Sequence, residues 1–105
     1  MNSRQKGKRG ELELAKVLRE HGYDSHRGQQ FKGSSDSPDV TGIDGFHIEC
    51  KRTEKTDIYG WLEQANRDAG DLIPVVMHRK NNRGWVCILS LEDFIEMERK
   101  CHVDS

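Results

Sequence analysis

Two acidic residues and a lysine near the middle of the chain have the types and spacing of a site that cleaves phosphodiesters. Pro38-Asp39 is followed, after nine residues, by Glu49-Cys50-Lys51. Carboxylate oxygens favour Mg²⁺ or Mn²⁺ over zinc. A divalent ion held by Asp39, Glu49 and the carbonyl of Cys50 would polarise a phosphate and activate water. Lys51 would position that water or stabilise the developing charge.

The segment between the two acids predicts a strand, a tight turn and a second strand. From residue 46 onward, apolar and polar residues alternate. Alternate side chains of a strand point to opposite faces. We therefore expect Glu49 and Lys51 to share one face while Cys50 turns into the core, and Asp39 to reach the same place from the neighbouring strand.

The tripeptide Glu-x-Lys is weak evidence by itself, because the chain contains a second copy. Glu98-Arg99-Lys100 has the same spelling but lies in a segment with helical periodicity. Residues two apart on a helix point in different directions. Only the copy at Glu49 and Lys51 can therefore share a ligand.

Glu11, which follows Gly7 and Gly10 on the first predicted helix, is the third acidic candidate. It would hold the metal directly or through a water. Each acid also has a simpler interpretation: Asp39 as a turn residue after proline, Glu49 as a surface partner of Lys51, and Glu11 as a complement to the helix dipole. Two like charges about 4 Å apart repel by ~4 kcal/mol at an effective dielectric near 20. Acids gathered at one place therefore require a cation.

The histidines and tryptophans are weaker candidates. His47 shares a face with Glu49, but we expect a partly exposed strand histidine rather than a ligand. Trp61 and Trp85 are expected in the core or at a subunit contact rather than as stacking platforms for bases.

Periodicity and turn signals predict eight elements in the order αβββαββα. They cover residues of about 5–21, 23–27, two strands around the turn at 42–45, 58–69, 73–77, 85–89 and 91–100. A polar loop is expected over 28–38, and the turn at 81–84 predicts a hairpin. The fold class is α/β (α+β), with a mixed central β-sheet flanked by helices.

The length predicts one compact domain over residues 1–105, which the proposed phosphodiester site would make a nuclease domain, with a basic N-terminal segment over 1–9. Net charge is −1, so any affinity for phosphate must come from local basic patches. The candidate DNA-binding cations are Arg4, Lys6, Lys8, Arg9, Lys32, Arg52 and Lys55. Three separated cysteines and the lack of a signal peptide or long apolar run predict a soluble, cytoplasmic protein that is not bound to a membrane.

Taken together, Gly7…Glu11, Arg27, Asp39 and Glu49-x-Lys51 resemble the PD-(D/E)xK nuclease superfamily. Within it they are similar to the archaeal-type Holliday junction resolvases and their phage-encoded relatives. The resemblance spans residues 6–90 and implies a restriction-endonuclease-like fold. It also implies a Mg²⁺-dependent homodimer (Mn²⁺ as substitute) that cuts four-way DNA junctions symmetrically.

The resemblance assigns catalysis to Glu11, Asp39, Glu49 and Lys51, and contacts with the DNA backbone to Arg27 and to Ser34 or Ser35. A longer polar stretch over 31–37 and a net charge near zero depart from the family pattern. Cutting of flaps, nicks or plain duplex therefore remains an alternative substrate class, and a non-catalytic DNA-binding module is a second alternative. The apolar surface for a dimer is expected at Ile58, Tyr59, Trp61 and Leu62.

Overall fold

The computed structural model describes residues 3–28 and 37–103, with side chains for 7–28 and 37–102. Within these ranges the elements follow the predicted order αβββαββα. They are α1 (Ser3–Glu20), β1 (His26–Arg27), β2 (Val40–Thr41), β3 (Phe46–Arg52), α2 (Ile58–Asp68), β4 (Ile73–Arg79), β5 (Val86–Ile88) and α3 (Leu91–Val103). Most of the predicted polar loop, with Lys32, Ser34 and Ser35, lies outside the described residues.

The strands form one mixed sheet in the order β1-β2-β3-β4-β5. β3 and β4 are parallel and are joined through α2, whereas the other neighbouring strands are antiparallel. A parallel pair needs a long crossover connection, which α2 supplies. The predicted mixed sheet flanked by helices is confirmed, including the β4–β5 hairpin.

The main core lies between α1 and the sheet. Leu14 and Ala15 of α1 pack in one cluster with Ile48 of β3 and its register partner Val75 of β4. Trp85 packs against the same cluster, in agreement with its predicted core position. The sheet is thus fixed under α1, the helix that carries Glu11.

Helix α2 packs on the face of β3 and β4 opposite to the face that α1 covers. Trp61 of α2 contacts His78 of β4, with ring centroids 4.9 Å apart, and Ala65 of the same helix is fully buried. Asp57 begins α2 by accepting a hydrogen bond from the N–H of Gly60 at 3.2 Å. α2 thereby reaches the strand face that carries Glu49.

Some elements begin or end at residues other than those predicted, because backbone groups near the helix ends are used in helix capping. The expected strand over 23–27 is reduced to His26–Arg27, because the N–H of Tyr23 donates to Leu18 O at 3.1 Å and belongs to the end of α1. Gly22 has φ of +99°, the left-handed conformation that commonly ends helices. Ser90 caps α3 as predicted, with Ser90 Oγ accepting from the N–H of Asp93 at 3.1 Å. None of the helices in the described ranges combines the length and apolar character that crossing a membrane would require.

Candidate active site

The sheet leaves part of one edge of β3 without a neighbouring strand, and the two central acids meet there. β2 pairs with β3 through Val40 and Ile48. Beyond this pair, the N–H of Cys50 donates to Oδ2 of Asp39 at 2.8 Å. The carboxylate of Asp39 is thereby fixed beside the segment that carries Glu49 and Lys51.

Glu49 lies on the face of β3 toward α2 and is only 4% exposed. Its carboxyl shares a hydrogen bond with that of Asp39. Burial, followed by the charge of Asp39 and this hydrogen bond, raises the pKa of Glu49 to about 8, although Lys51 acts in the opposite direction. Near neutral pH the buried carboxyl of Glu49 therefore favours its protonated form.

His47 contacts the same carboxyl from the buried side. Its Nε2 lies 2.7 Å from Oε1 of Glu49, and the side chain is 1% exposed. The expectation of a partly exposed histidine was wrong, because the side chain of His47 is buried beneath the cavity that Glu49 lines. His47 therefore orients Glu49 from within the fold.

Lys51 is held by a residue that the sequence did not single out. Its Nζ donates to Oε1 of Gln64, on α2, at 3.3 Å. Position 64 faces the sheet together with Ala65 in the helical pattern, but nothing in the sequence pairs it with Lys51. The crossover helix thus fixes the direction of the ammonium group.

Glu11 approaches the site because α1 lies unusually close to β3. A Cβ at Gly10 would meet Cβ of Arg52 at 2.5 Å, so only glycine allows this approach. Nε of Arg27 donates to Oε1 of Glu11 at 2.7 Å. Burial and the charge of Asp39 raise the pKa of Glu11, while the bond to Arg27 opposes that rise.

All four residues predicted to be catalytic line one open cavity of about 360 Å³. Its lining residues are Gly7, Glu11, Asp39, Glu49, Cys50, Lys51, Arg52, Thr53 and Gln64. The structure therefore brings together acids from α1, from the residue before β2 and from β3, with an ammonium group beside them.

Comparison with known proteins identifies the family and the fold of the chain. Residues 2–104 match the family described as "Phage putative PDDEXK endonuclease". The chain belongs to this family. The predicted membership of the PD-(D/E)xK superfamily is therefore confirmed, and the chain is a nuclease of PD-(D/E)xK type. No curated protein sequence matches the chain significantly.

A solved structure shares the fold of this PD-(D/E)xK chain. Hjc, a Holliday junction resolvase from the archaeal hyperthermophile Archaeoglobus fulgidus, superposes with a TM-score of 0.60 and 22% sequence identity. The likeness covers 80% of this chain and 72% of that chain. It confirms the restriction-endonuclease-like fold.

The geometry shows how this PD-(D/E)xK chain positions the two halves of its signature. The carboxylate of Asp39 accepts from the N–H of Cys50, and the alternation of β3 directs Glu49 and Lys51 to one face. Asp39 and Glu49 are separated by nine residues in the sequence, and they meet at one edge of β3.

The donor set suits a hard divalent cation. Within the described residues, no three side chains of His, Cys, Asp or Glu already stand close enough to bind one ion. The carboxyl groups of Asp39 and Glu49 are nevertheless in contact through a hydrogen bond. Oxygen donors that would otherwise repel each other fit Mg²⁺ or Mn²⁺.

The predicted DNA-binding cations lie in different environments. Lys8, Arg9 and Lys55 are exposed. Arg52 lines the cavity but also contacts Glu13 of α1, with Nε and Oε2 3.4 Å apart. The side chains of Arg4 and Lys6 lie outside the described part of the chain. Their contacts with DNA remain predictions.

Proposed function

We propose that this nuclease cuts branched DNA at a divalent-metal site, with four-way junctions as its substrate and a homodimer as its working form. The convergence of Asp39 and Glu49 beside Lys51 is the observation that carries the proposal. The likeness to an archaeal junction resolvase supports the choice of substrate. We further propose that residues 1–105 act as one nuclease domain inside a phage-infected cell.

In this proposal Asp39, Glu49 and the carbonyl of Cys50 hold the metal, and Glu11 completes the set when it leaves Arg27. The cation supplies charge stabilisation at the scissile phosphate and activates water. Lys51, held in place by Gln64, places its ammonium group where negative charge develops. His47 keeps the carboxyl of Glu49 directed into the cavity.

A homodimer follows from the symmetry of the proposed substrate. One chain has one such cavity among its described residues, and one cavity cuts one strand. Resolution of a four-way junction needs two cuts related by a two-fold axis. Two copies of the chain would supply them.

A nuclease that acts on flaps, nicks or plain duplex is the second candidate. The net charge of −1 favours it, because a large junction with four duplex arms offers many phosphates for a basic surface. Exposed Lys8, Arg9 and Lys55 would then serve a smaller contact area. The two candidates share the same active site.

Cleavage of four-way, flap, nicked and linear DNA in Mg²⁺ separates these candidates. We expect cuts at symmetric positions in the four-way junction and slow cutting of linear duplex. Equal cutting of linear duplex would reject the junction assignment and favour the second candidate.

Asp39→Asn tests the metal-binding acid, with Asp44→Asn in the β2–β3 turn as the matched control. Asp39→Asn should abolish cleavage while keeping DNA binding, because one repulsive charge near the phosphate is lost. Asp44→Asn should cut as the parent does. Cleavage at the parent rate by Asp39→Asn would show that the assigned ligand is wrong, and loss of binding would point to a structural role.

A further inference from the structure

The turn between β4 and β5, residues 80–83, lies beside the active-site cavity at the ends of the two parallel strands. Thr53 lines that cavity, and its N–H donates to the carbonyl of Arg79, the last residue of β4, at 3.1 Å. The turn follows Arg79 directly. Neighbouring strands lie about 4.8 Å apart and successive residues about 3.4 Å, so the turn begins within about 10 Å of the cavity wall.

Hydrogen bonds fix the position of this turn relative to the cavity. Arg52, which lines the cavity, donates from Nη2 to Oδ1 of Asn81 at 2.9 Å. The N–H of Asn81 donates in turn to Oε2 of Glu54 at 2.8 Å. Within the turn, the N–H of Arg83 donates to the carbonyl of Lys80 at 3.2 Å, which brings these two cationic residues together.

The two arginines at the ends of β3 and β4 are balanced by acids. Glu13 of α1 contacts both guanidinium groups: its Oε2 lies 3.4 Å from Nε of Arg52, and its Oε1 pairs with Nη1 of Arg79. Nη1 of Arg52 also lies 3.7 Å from Oε2 of Glu54. Two cations and two acids thus form one cluster, which offers a phosphate group little net charge.

Three cations next to this cluster have no such balance. Lys80 and Arg83 are exposed in the turn, and Lys55 is exposed in the segment after β3. None of the three forms an ion pair with another residue of the described ranges. Asp57, the next acid along the chain, accepts a hydrogen bond from Gly60 at the start of α2. Positive charge therefore exceeds negative charge beside the turn.

We propose that Lys55, Lys80 and Arg83 bind the phosphate backbone of the duplex arm whose strand enters the cavity. The assignment rests on the proposed function, because it names the surface that holds the same substrate outside the metal site. Contacts of cations with phosphate supply affinity and fix the position of the duplex, but they carry no sequence information. This surface should therefore bind an arm of any sequence.

The distance between the turn and the cavity predicts which phosphates are bound. A duplex advances about 3.4 Å per base pair, so a surface within about 10 Å of the cavity wall reaches phosphates about two to four nucleotides from the cut. A neutral methylphosphonate at one of these positions should weaken binding by the parent. It should have little further effect on Lys80→Ala/Arg83→Ala, because that variant has already lost the contact. Equal weakening in both proteins would contradict the assignment.

DNA binding in chelator, where no cleavage occurs, tests the surface over about 50 to 200 mM salt. For Lys80→Ala/Arg83→Ala, the slope of log K against log[salt] should become shallower by about two, since each lost phosphate contact removes roughly 0.9. The matched control is Lys16→Ala/Arg67→Ala, which removes an exposed lysine of α1 and an exposed arginine of α2. An unchanged slope in the turn variant, or an equal change in the control, would overturn the assignment. Thermal unfolding of each variant checks that it is folded.

Binding and cleavage together separate failure of this assignment from failure of the proposed function. If the parent shows no preference for four-way junctions but the turn variant has the shallower slope, the junction substrate is wrong while the phosphate-binding surface stands. If the parent cuts four-way junctions selectively and the turn variant keeps the parent's slope, the surface is wrong while the proposed function stands. A parent that binds no DNA would reject both.

Discussion

Replacement of Glu49 by glutamine should stabilise the metal-free protein while abolishing its activity. Glu49 is buried, its carboxyl shares a hydrogen bond with Asp39, and its pKa is raised from 4.5 to about 8. The folded protein therefore favours the protonated form of Glu49. Stability from this preference is complete below about pH 4.5 and is lost as the pH rises toward 8.

The magnitude follows from that pKa interval. A rise from 4.5 to about 8 corresponds to at most about 5 kcal/mol at ~1.4 kcal/mol per pH unit. We expect the penalty on Glu49 to be about half of this upper bound, about 2–3 kcal/mol, because protein and water relax around the ionised carboxylate. Glu49→Gln carries no charge at any pH and keeps an oxygen near His47, so it should escape most of this penalty.

Thermal unfolding in chelator, followed from pH 5 to pH 8.5, measures the effect. At pH 5 the parent and Glu49→Gln should be equally stable. At pH 8.5 the variant should be more stable, with a melting temperature higher by about 10 °C. Mg²⁺ should stabilise the parent at high pH, because a cation replaces the proton, and should leave the variant unchanged.

The control is Glu63→Gln, which removes an exposed carboxylate from α2. It should follow the parent at every pH. Parallel pH profiles for the parent and Glu49→Gln would refute the raised pKa of Glu49. A stabilisation of Glu49→Gln by Mg²⁺ equal to that of the parent would show that the ion binds elsewhere.

Two further predictions concern the residues that position the site. Gly10→Ala should lower both stability and cleavage, because its Cβ would meet Cβ of Arg52 at 2.5 Å. Gly7→Ala is the control, since a Cβ at position 7 meets open space and should leave the fold unchanged or stabilise it. Equal thermal stability of the two variants would contradict the close approach of α1 to β3. Gln64→Leu should reduce kcat by about tenfold or more, because Lys51 loses its hydrogen bond to Gln64. DNA affinity in a filter-binding assay should not change. An unaltered kcat would show that Lys51 does not need this hydrogen bond.

Local patterns were sufficient to predict the elements and the central pair of acids. The alternation over β3 and the turn at 42–45 bring Asp39 and Glu49 together whatever the rest of the fold does. Strand periodicity also distinguished Glu49-x-Lys51 from its helical copy at 98–100, which the structure places in α3. Such features depend on residues close in sequence, where spacing fixes direction.

Contacts between distant elements were not accessible in the same way. The burial of His47 depends on α2 covering β3, and the bond from Lys51 to Gln64 depends on the rotation of that helix. An amphipathic pattern also predicted α3 without showing which surface its apolar side would contact. Periodicity indicates that a face is to be covered, but it carries no information on what covers it.

The role of Asp39 in the fold bears on how its chemistry can be separated from its structural contribution. The N–H of Cys50 donates to the side chain of Asp39. Asparagine keeps an oxygen that can accept this bond, whereas alanine would leave a partly buried amide without its partner at a cost of about 1–3 kcal/mol. Loss of cleavage in an alanine variant would therefore have two causes that the assay does not separate: local unfolding at the edge of β3 and loss of a metal ligand. The asparagine variant can keep the hydrogen bond from the N–H of Cys50, so its loss of cleavage would report the missing negative charge.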